Sequence, residues 1–308
     1  MANLLKRWVR YPAEALLLAL VFGALRLLPT DVASNIGGWF GRSLGPRMRG
    51  DAVARKNIAM AMPNLSATEV DRVIERMWDN LGRTLAEYPH LWKIASADSG
   101  RTIVRGREHV QPFLDGDSAG ILLAAHQANW EVAAAHSKRA GLPLSTIVRP
   151  TNNPMVNSLI ELCRGDHGHE RISKNLNGAK RILGAIRAGG VVGMLADQKF
   201  NKGIELPFFG IPAPTTDAPA QLLLHTDCRV IPVQVTREGA GRFEIICYPP
   251  LEMPTGDLPR SDKLRSVMMT YHQLLEDWIR QRPAEWLWIH RRWPKERYRD
   301  PDRDTGGE

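Results

Sequence analysis

The segment whose residue types and spacing best fit catalysis is Ile121–Glu131, with the sequence ILLAAHQANWE. A buried β-type run ends there, His126 follows it, and a helical pattern then begins with Glu131 in its first turn. The carboxyl ends of parallel strands are where α/β sheets place their sites. A histidine whose second ring nitrogen is held by a carboxylate can take a proton from a hydroxyl. The segment therefore suggests general base catalysis by His126.

The spacing of these two residues sets a geometric condition. On one continuous helix, residues five apart lie about 140° apart around the axis, so His126 must precede the helix if it is to meet Glu131. The tripeptide Gln127-Ala128-Asn129 allows the required turn, with Asn129 a competent N-cap. Glu131 would then fix the imidazole tautomer. The spacing fits equally well a histidine satisfied in the core and a glutamate stabilised by the helix dipole.

The elements that would position these residues begin at about residue 102, where strand and helix patterns alternate. Apolar β-type runs occur at Gly120–Ala125, Ser145–Val148, Val191–Ala196, Arg229–Val235 and Phe243–Cys247. Helical patterns occur at Trp130–Ala140, Pro154–Cys163, Leu176–Ala188, Asp217–His225 and Leu264–Ile279. This alternation predicts an α/β fold whose largely parallel central sheet is covered by helices on both faces.

The residues before this region predict an N-terminal helical segment. Ile36–Gly50 is rich in Gly and Arg and predicts a turn or a short helix end, and Asp51–Met62 predicts a helix. Ser66 and Glu69 have the spacing of a capping box, which predicts the start of the amphipathic helix through Val70–Leu81. We expect one α/β domain over residues 31–308, preceded by a helix within residues 1–30.

The N-terminus has the composition of a membrane-associated segment. Basic residues in the first ten positions precede a mostly apolar stretch, Ala13–Leu28. Its uncharged part, Ala15–Leu25, is shorter than the roughly 20 residues that span a bilayer, although the charged flanks bring it close to that length. We expect membrane association with the basic N-terminus on the cytoplasmic side. Whether the segment spans or embeds stays open, and an ordinary buried helix is the alternative.

Composition limits the possible classes of protein. The chain has 308 residues and 44% of them are hydrophobic, which excludes global disorder. Three cysteines exclude a disulfide scaffold and a four-thiolate zinc site. The net charge of +8 favours an anionic partner such as nucleic acid, phospholipid head groups or an acidic carrier protein.

Two further clusters have simpler interpretations. A run of potential metal ligands has no familiar zinc spacing, so we interpret it as a solvated loop and expect no metal or cofactor. That run contains Cys163, Asp166, His167, His169 and Glu170. Arg291 and Arg292 among Trp286, Trp288 and Trp293 could stack on bases, but a membrane interface with lipid phosphates explains them better. We therefore expect no nucleic-acid partner. The Gly-x-Ser-x-Gly pattern occurs at Gly41–Gly45 and Gly116–Gly120, but neither follows a β-type run as a nucleophile elbow does, which argues against a serine hydrolase.

Five blocks in order carry a family resemblance. The His126-x4-Glu131 block, HQANWE, resembles the signature of glycerolipid and lipid A acyltransferases, and its Asn-Trp-Glu ending is similar to the late lipid A enzymes of the lauroyl and myristoyl type. The other blocks are Arg149-Pro150 with Asn153-Pro154, Ala196-Asp197-Gln198, Leu206-Pro207-Phe208-Phe209-Gly210, and Trp286-Leu287-Trp288-Ile289-His290-Arg291-Arg292-Trp293. The resemblance extends to about residue 295. The chain departs from the family pattern at Ala128, where glycine is usual.

The resemblance implies an enzyme that moves a fatty acyl group from acyl carrier protein to a 3-hydroxyl on an acyl chain of a lipid A precursor. This would take place at the cytoplasmic side of the cell inner membrane. His126 would be the general base, oriented by Glu131, and the hydroxyl would attack the thioester directly. Another membrane glycolipid, such as a phosphatidylinositol mannoside, is an alternative acceptor. A non-catalytic membrane or nucleic-acid binding protein is the alternative of a different class.

Substrate-binding roles fall on residues near the same edge of the sheet. Arg149 would stabilise the oxyanion, because it follows a strand that should end there; the alternative is a phosphate-binding or surface-paired arginine. Asp197 and Gln198 would position Arg149 or polar groups of the acceptor, or cap a turn, and Asn129 completes the set. Pro207–Gly210 is expected to pack as a hydrophobic loop rather than touch substrate, and the alternative is that it lines an acyl channel. Acyl chain length is not readable from these patterns.

Overall fold

The computed structural model describes residues 6–148, 150–165, 171–173 and 178–299. A seven-stranded sheet forms its centre, in the order β1-β9-β8-β2-β5-β3-β4. Its strands are β1 (Thr102–Arg105), β2 (Gly120–Ala124), β3 (Leu144–Val148), β4 (Arg171–Ser173), β5 (Val191–Leu195), β8 (Arg229–Gly239) and β9 (Arg242–Cys247). Neighbouring strands are parallel except for β8 and β9. The predicted, largely parallel sheet is confirmed.

Helices cover both faces of this sheet, as predicted. They are α1 (Tyr11–Arg26), α2 (Thr30–Leu44), α3 (Gly50–Ala61), α4 (Ala67–Glu87), α5 (Leu91–Ile94), α6 (Arg107–Leu114), α7 (Glu131–Arg139), α8 (Pro154–Arg164), α9 (Gly178–Arg187), α10 (Ala218–His225) and α11 (Arg260–Gln281). Alternate residues of β2 point to opposite faces, as the pleat of a strand requires. Leu123 packs in one core with residues of α11, and Leu122 packs in the other with residues of α5, α6 and α7.

The register of the central strands determines where the site forms. Strands β2 and β5 are parallel neighbours, and Ala124 at the end of β2 pairs with Leu195 at the end of β5. The chain leaving each strand therefore emerges at the same edge of the sheet. His126 and Asp197 each come two residues after the paired position, so they emerge side by side.

A β-hairpin replaces the hydrophobic loop predicted at Pro207–Gly210. Strands β6 (Ile204–Phe208) and β7 (Ile211–Thr215) pair antiparallel. The turn residues Phe209 and Gly210 have φ of 51° and 73°, the left-handed pair of a tight hairpin turn. Phe208 is fully buried in the core, so the expectation that this motif packs is confirmed, although it does so as strands.

The prediction of a turn at Ile36–Gly50 is wrong for residues 36–44, which belong to helix α2, whereas the predicted helix end is present at Leu44. Its glycines do not break the helix; they allow it to lie close against α4. A methyl group added at Gly82 of α4 would come 2.1 Å from the carbonyl oxygen of Gly37 on α2. The capping box of Ser66 and Glu69 is present at the start of α4 and confirms that prediction.

The predicted membrane-facing role of the C-terminal Trp and Arg residues is wrong for four of the five. Trp286, Trp288, Trp293 and Arg292 are each at most 2% exposed. Two of the indole N–H groups have protein acceptors: Trp286 donates to Asp197 and Trp288 donates to the carbonyl of Pro283. Burial of a tryptophan is favourable when its N–H is satisfied in this way.

Helix α1 confirms the apolar N-terminal helix. The stretch Arg7–Arg26 has 20 residues, a mean hydropathy of 1.4 and only 6% of its residues buried. It is long and apolar enough to be a candidate membrane helix. The alternative of an ordinary buried core helix is wrong, because α1 contains no buried residue.

Candidate active site

A cavity of about 310 Å³ lies beside the carboxyl ends of strands β2 and β5. Its polar lining includes His126, Glu131, Arg164 and Gln198. Most of its wall is apolar and comes from strands β2, β3 and β5 and from helix α7. The apolar lining includes Leu91, Leu122, Ala124, Ala134, Leu144, Ile147, Val148, Met194, Leu195 and Val233. The site therefore combines a few convergent polar groups with an apolar cleft.

His126 is held by Asp197. The imidazole Nδ1 lies 2.8 Å from Asp197 Oδ1, and the backbone N–H of His126 donates to Asp197 Oδ2 at 3.0 Å. Trp286 Nε1–H donates to that same Oδ2 at 2.8 Å. The sequence hypothesis that Glu131 orients the imidazole is therefore corrected: the carboxylate beside His126 comes from the neighbouring strand end.

The surroundings of Asp197 set the imidazole tautomer. Burial alone would raise the pKa of this carboxyl, but the charge and hydrogen bonds of His126, together with the Trp286 indole, lower it to about 2. An ionised carboxylate only accepts hydrogen bonds, so Nδ1 carries the proton in the neutral ring. Nε2 is left as a proton acceptor. The side chain of His126 is 18% exposed and lines the cavity, which gives Nε2 access to a substrate.

Glu131 points to other partners. Its carboxylate accepts from Arg164 Nε at 2.8 Å and from the hydroxyl of Tyr88 at 3.0 Å, and Arg164 Nη2 completes a bidentate contact. Burial would raise the pKa of Glu131, but the nearby charge of Arg164 outweighs it and the pKa is lowered. Burial and the neighbouring Glu131 raise the pKa of Tyr88. Glu131 therefore anchors a cation at the cavity wall.

The turn between His126 and α7 is fixed by backbone contacts. Ala128 has φ of 48°, a left-handed conformation that favours glycine. Its N–H donates to the carbonyl of Glu285 at 2.9 Å, and its own carbonyl accepts from Thr84 Oγ1 at 3.1 Å. The carbonyl of His126 accepts from Leu287 N–H at 3.0 Å. These contacts hold the imidazole at the cavity.

Asn129 does not have the predicted N-cap contact. Helix α7 begins without a side-chain cap, and the Asn129 side chain donates to Glu87 Oε2 at 2.9 Å. Glu87 is fully buried and pairs with Arg237. Asn129 thus ties the turn to a buried polar network beneath it, and the substrate-binding role given to it stays a prediction.

Gln198 and Trp130 complete the surroundings of the imidazole. Gln198 Nε2 lies 3.5 Å from His126 Nε2 and lines the cavity. The ring of Trp130 stands edge-on to the imidazole, with 5.1 Å between their centres. An amide N–H next to Nε2 is suitably placed to donate to an oxygen of a bound substrate.

Some predicted residues fall outside the described part of the chain. Arg149 is one of them, so its role at an oxyanion stays a prediction. Asp166, His167, His169 and Glu170 also lie outside it, whereas Cys163 is partly buried on α8. Within residues 6–148, 150–165, 171–173 and 178–299, no group of three His, Cys, Asp or Glu side chains could hold a metal ion.

The sequence interpretation missed three features of the site. Arg164 and Tyr88 lie in helical segments with no motif to single them out. The pairing of Asp197 with His126 did have a signal, because each residue follows the end of a buried β-type run by a similar interval. That signal becomes decisive only when the two strands are known to be neighbours.

Comparison with known proteins identifies the family. Residues 5–295 match the bacterial lipid A biosynthesis acyltransferases. The chain is 24% identical over 277 residues to the lipid A biosynthesis lauroyltransferase of Escherichia coli K12, with 86% of each chain covered. It is also 24% identical to the palmitoleoyltransferase of that strain, over 273 residues and 86% of each chain.

A third relative has a different named acceptor. The phosphatidylinositol mannoside acyltransferase of Mycobacterium tuberculosis H37Rv is 24% identical over 285 residues, with 88% of this chain and 85% of the relative covered. The family match spans nearly the whole chain and includes the cavity, the His126–Asp197 pair and the C-terminal Trp-rich segment. The chain therefore belongs to the bacterial lipid A biosynthesis acyltransferase family.

Proposed function

We propose that this protein transfers a fatty acyl group from acyl carrier protein to a hydroxyl on an acyl chain of a lipid A precursor. The observation that carries the proposal is the position of His126 Nε2, the acceptor nitrogen of an Asp197-bound imidazole, at an apolar cavity. Family membership and the named activities of the relatives support acyl transfer onto lipid A or a related glycolipid. The site belongs at the cytoplasmic side of the inner membrane, where acyl carrier protein is available.

The proposed reaction begins with proton removal by His126. Nε2 takes the proton of the acceptor hydroxyl while the hydroxyl oxygen forms a bond to the thioester carbonyl carbon. The tetrahedral intermediate then collapses with cleavage of the carbon–sulfur bond. The imidazolium returns the proton to the departing thiolate, so ester and thiol are the products. Asp197 stabilises the imidazolium by charge and keeps Nε2 directed at the substrate.

The negative oxygen of the intermediate needs fixed donors. Gln198 Nε2 is our candidate, because it lies 3.5 Å from the nitrogen that activates the hydroxyl. Arg164 contributes positive charge at the same cavity, oriented through its bidentate contact with Glu131. This gives Glu131 a positioning role that differs from the imidazole-orienting role expected from its spacing. Arg149 remains a proposed further donor.

The apolar walls suit a fatty acyl chain. Leu122, Leu144 and Met194 are among the side chains that line the cavity. Removing each buried methylene group from water favours binding by about 0.8 kcal/mol, so a chain of many methylenes gains considerable affinity. The net charge of +8 complements an acidic carrier protein and a phosphorylated acceptor.

Two acceptors are in competition, because one relative is named for phosphatidylinositol mannoside. The test uses the purified full chain, acylated acyl carrier protein, and each acceptor in turn, with products measured by mass spectrometry. We expect acylation of the lipid A precursor by the wild-type protein. Acylation of the mannoside alone would replace the proposed acceptor and leave the acyl transfer chemistry intact.

His126→Ala tests the catalytic role. We expect a loss of at least 10²-fold in kcat, in line with the usual contribution of a general base. His109→Ala is the matched control, since its side chain is partly exposed on α6 and does not line the cavity. A folded His126→Ala protein with unchanged turnover would refute the proposed role of His126, whereas absence of acyl transfer by the wild-type protein would favour a non-catalytic binding protein.

A further inference from the structure

Helix α1 has an apolar outer face. Its inner side, which includes Leu18 and Phe22, is partly buried against the rest of the protein. On the outer side, Leu16, Leu17 and Leu20 are 63%, 65% and 63% exposed. The outward face of a helix on a water-soluble protein is normally polar. This outer face is therefore suited to contact with lipid.

The helix is attached to the protein near both ends. Near its start, Asn153 Nδ2 at the beginning of α8 donates to the carbonyl of Tyr11 at 2.9 Å and to Glu14 Oε2 at 3.0 Å. Near its end, His90 Nε2 contacts the carbonyl of Leu25 at 2.9 Å, and the ring of Phe22 stacks on Tyr88 with 6.2 Å between centres. Helix α1 thus lies along the protein and does not project away from it.

These attachments conflict with a membrane-spanning orientation. The helical stretch Arg7–Arg26 extends about 30 Å, close to the hydrocarbon thickness of a bilayer, so its attachments to the protein and not its length oppose spanning. A spanning α1 would also draw the adjacent α8 into the hydrocarbon, with its polar side chains Asn157, Ser158 and Glu161. Placing such groups in lipid is costly.

We propose that α1 embeds in one leaflet of an anionic phospholipid bilayer, with its inner side on α8 and its outer face among the acyl chains. Both ends of the helix then lie on the same side of the membrane. Two exposed residues of α8, Met155 and Leu162, are seven positions apart and so share one helix face, which extends the apolar surface beside α1. Arg7 and Arg10 precede the helix at head-group level, where they attract anionic lipid.

This orientation brings the leaflet next to the candidate site. Phe22 of α1 stacks on Tyr88, and Tyr88 lines the cavity and lies under the guanidinium of Arg164. A lipid held in the leaflet would reach the cavity with little displacement. The membrane orientation itself does not depend on the proposed acyl transfer.

The first experiment compares the two ends of α1 in bacterial membranes. Trp8→Cys and Leu27→Cys each introduce a thiol at a position that is 72% or 87% exposed, and the wild-type chain gives the background labelling. A membrane-impermeant maleimide is added to right-side-out and to inside-out vesicles, and labelling in detergent gives the full signal. We expect both thiols to react from the same side. Reaction from opposite sides, or of neither thiol from either side, would overturn the proposal.

The second experiment tests the part played by α8. Purified wild-type and variant chains are sedimented with vesicles of phosphatidylethanolamine and phosphatidylglycerol. We expect the Met155→Glu/Leu162→Glu variant to bind at least threefold less protein per vesicle than the wild type. Ile103→Glu, which changes a residue 58% exposed on the opposite edge strand, is the matched control and should bind normally.

Circular dichroism establishes that each variant is folded. Undiminished binding of the folded α8 variant would show that α8 does not contact the membrane and would overturn the proposed orientation. Vesicles of phosphatidylcholine alone test the charge contribution, and we expect weaker binding to them. Equal binding to both vesicle types would refute the preference for anionic lipid.

Discussion

Asp197 Oδ1 lies 2.8 Å from His126 Nδ1, although 71 residues separate them in the sequence. The contact follows from the parallel pairing of β2 and β5, whose last residues, Ala124 and Leu195, are in register. Each functional side chain comes two residues beyond that pair. The geometry of the general base is therefore a property of the sheet rather than of the local His-x4-Glu spacing.

Asp197→Asn should reduce kcat by about 10³–10⁴-fold, with a much smaller change in KM. An amide can donate to the imidazole and so favour the tautomer whose Nε2 carries the proton, which removes the base. The variant retains the size of the side chain and an oxygen to accept from Trp286. Steady-state kinetics with acylated carrier protein measures the effect.

Asp98→Asn is the control for that measurement, because Asp98 is exposed and does not line the cavity beside His126. It should retain wild-type kinetics. If Asp197→Asn kept more than a tenth of wild-type kcat, Asp197 would not be the residue that orients the base.

Much of the fold could be predicted from hydrophobic patterning, whereas side-chain partners across the sheet could not. Buried strands read as continuous apolar runs, so the runs that contain β2 and β5 are visible in the sequence. Which two runs become neighbours depends on the strand order, which local patterns do not contain. The hypothesis for His126 therefore chose Glu131, the nearest carboxylate along the chain, over Asp197.

Predictions based on residue type alone were also wrong for residues that turn out to be buried. The Gly-rich segment Ile36–Gly50 resembles a turn, yet Gly37 is needed for the close approach of α2 to Gly82 on α4. Trp288 and Arg292 are residue types common at a membrane interface, yet both are buried and donate hydrogen bonds to backbone carbonyls of the protein. Such packing depends on contacts between distant segments.

The Glu131–Arg164 pair should show strong coupling in a double-mutant cycle. The side chains are 9% and 24% exposed, so removing one partner leaves a poorly solvated charge. We expect Glu131→Gln and Arg164→Met each to lower the free energy of unfolding by about 2 kcal/mol. The double variant should lose less than the sum, by about 1 kcal/mol or more. Urea unfolding measures all four proteins.

The exposed pair Asp277–Arg280 is the comparison, with both side chains 48% exposed. Its coupling energy should be within about 0.5 kcal/mol of zero, as for most surface ion pairs. Equal coupling in the two pairs would contradict a special role for Glu131. Activity should stay low in the double variant even though its stability partly recovers, since Arg164 is then absent from the cavity.

Protonation of His272 should destabilise the protein at acidic pH. Its Nδ1 contacts the carbonyl of Pro207 at 2.9 Å and its Nε2 accepts from Arg292 at 3.2 Å, an arrangement that requires a neutral ring. Burial, and next the charge of Arg292, lower the pKa of His272 to about 4. The unfolded chain binds this proton below about pH 6.5 and the folded protein does not, so stability falls as pH decreases from about 6.5 to 4.

The loss from His272 amounts to about 3 kcal/mol over that range, at 1.36 kcal/mol per pKa unit. His272→Gln removes the titrating group and should flatten this part of the stability profile measured by urea unfolding. Burial also lowers the pKa of His90 and His136, whose contribution is common to both proteins, so the difference between profiles is the observable. Protonation of Asp197, which has a pKa of about 2, affects stability only below about pH 4. If wild-type and His272→Gln proteins lost stability equally with decreasing pH, His272 would not be responsible for the loss.

Gly193→Val should shorten the preferred acyl chain. Gly193 lies on β5 in the cavity wall, and an added Cβ would be 3.6 Å from Leu144 Cδ1 and from Thr146 Cγ2, an ordinary contact. The valine methyl groups would therefore occupy space in the cavity without distorting the strand. Each methylene of the acyl chain that is excluded costs about 0.8 kcal/mol, or about fourfold in kcat/KM. Competition between acyl carrier proteins with chains of different length, followed by mass spectrometry of the product, measures the preference.

Gly239→Val on β8, where an added Cβ also has room, is the control and should retain the wild-type preference. An unchanged preference in Gly193→Val would mean that the acyl chain lies elsewhere.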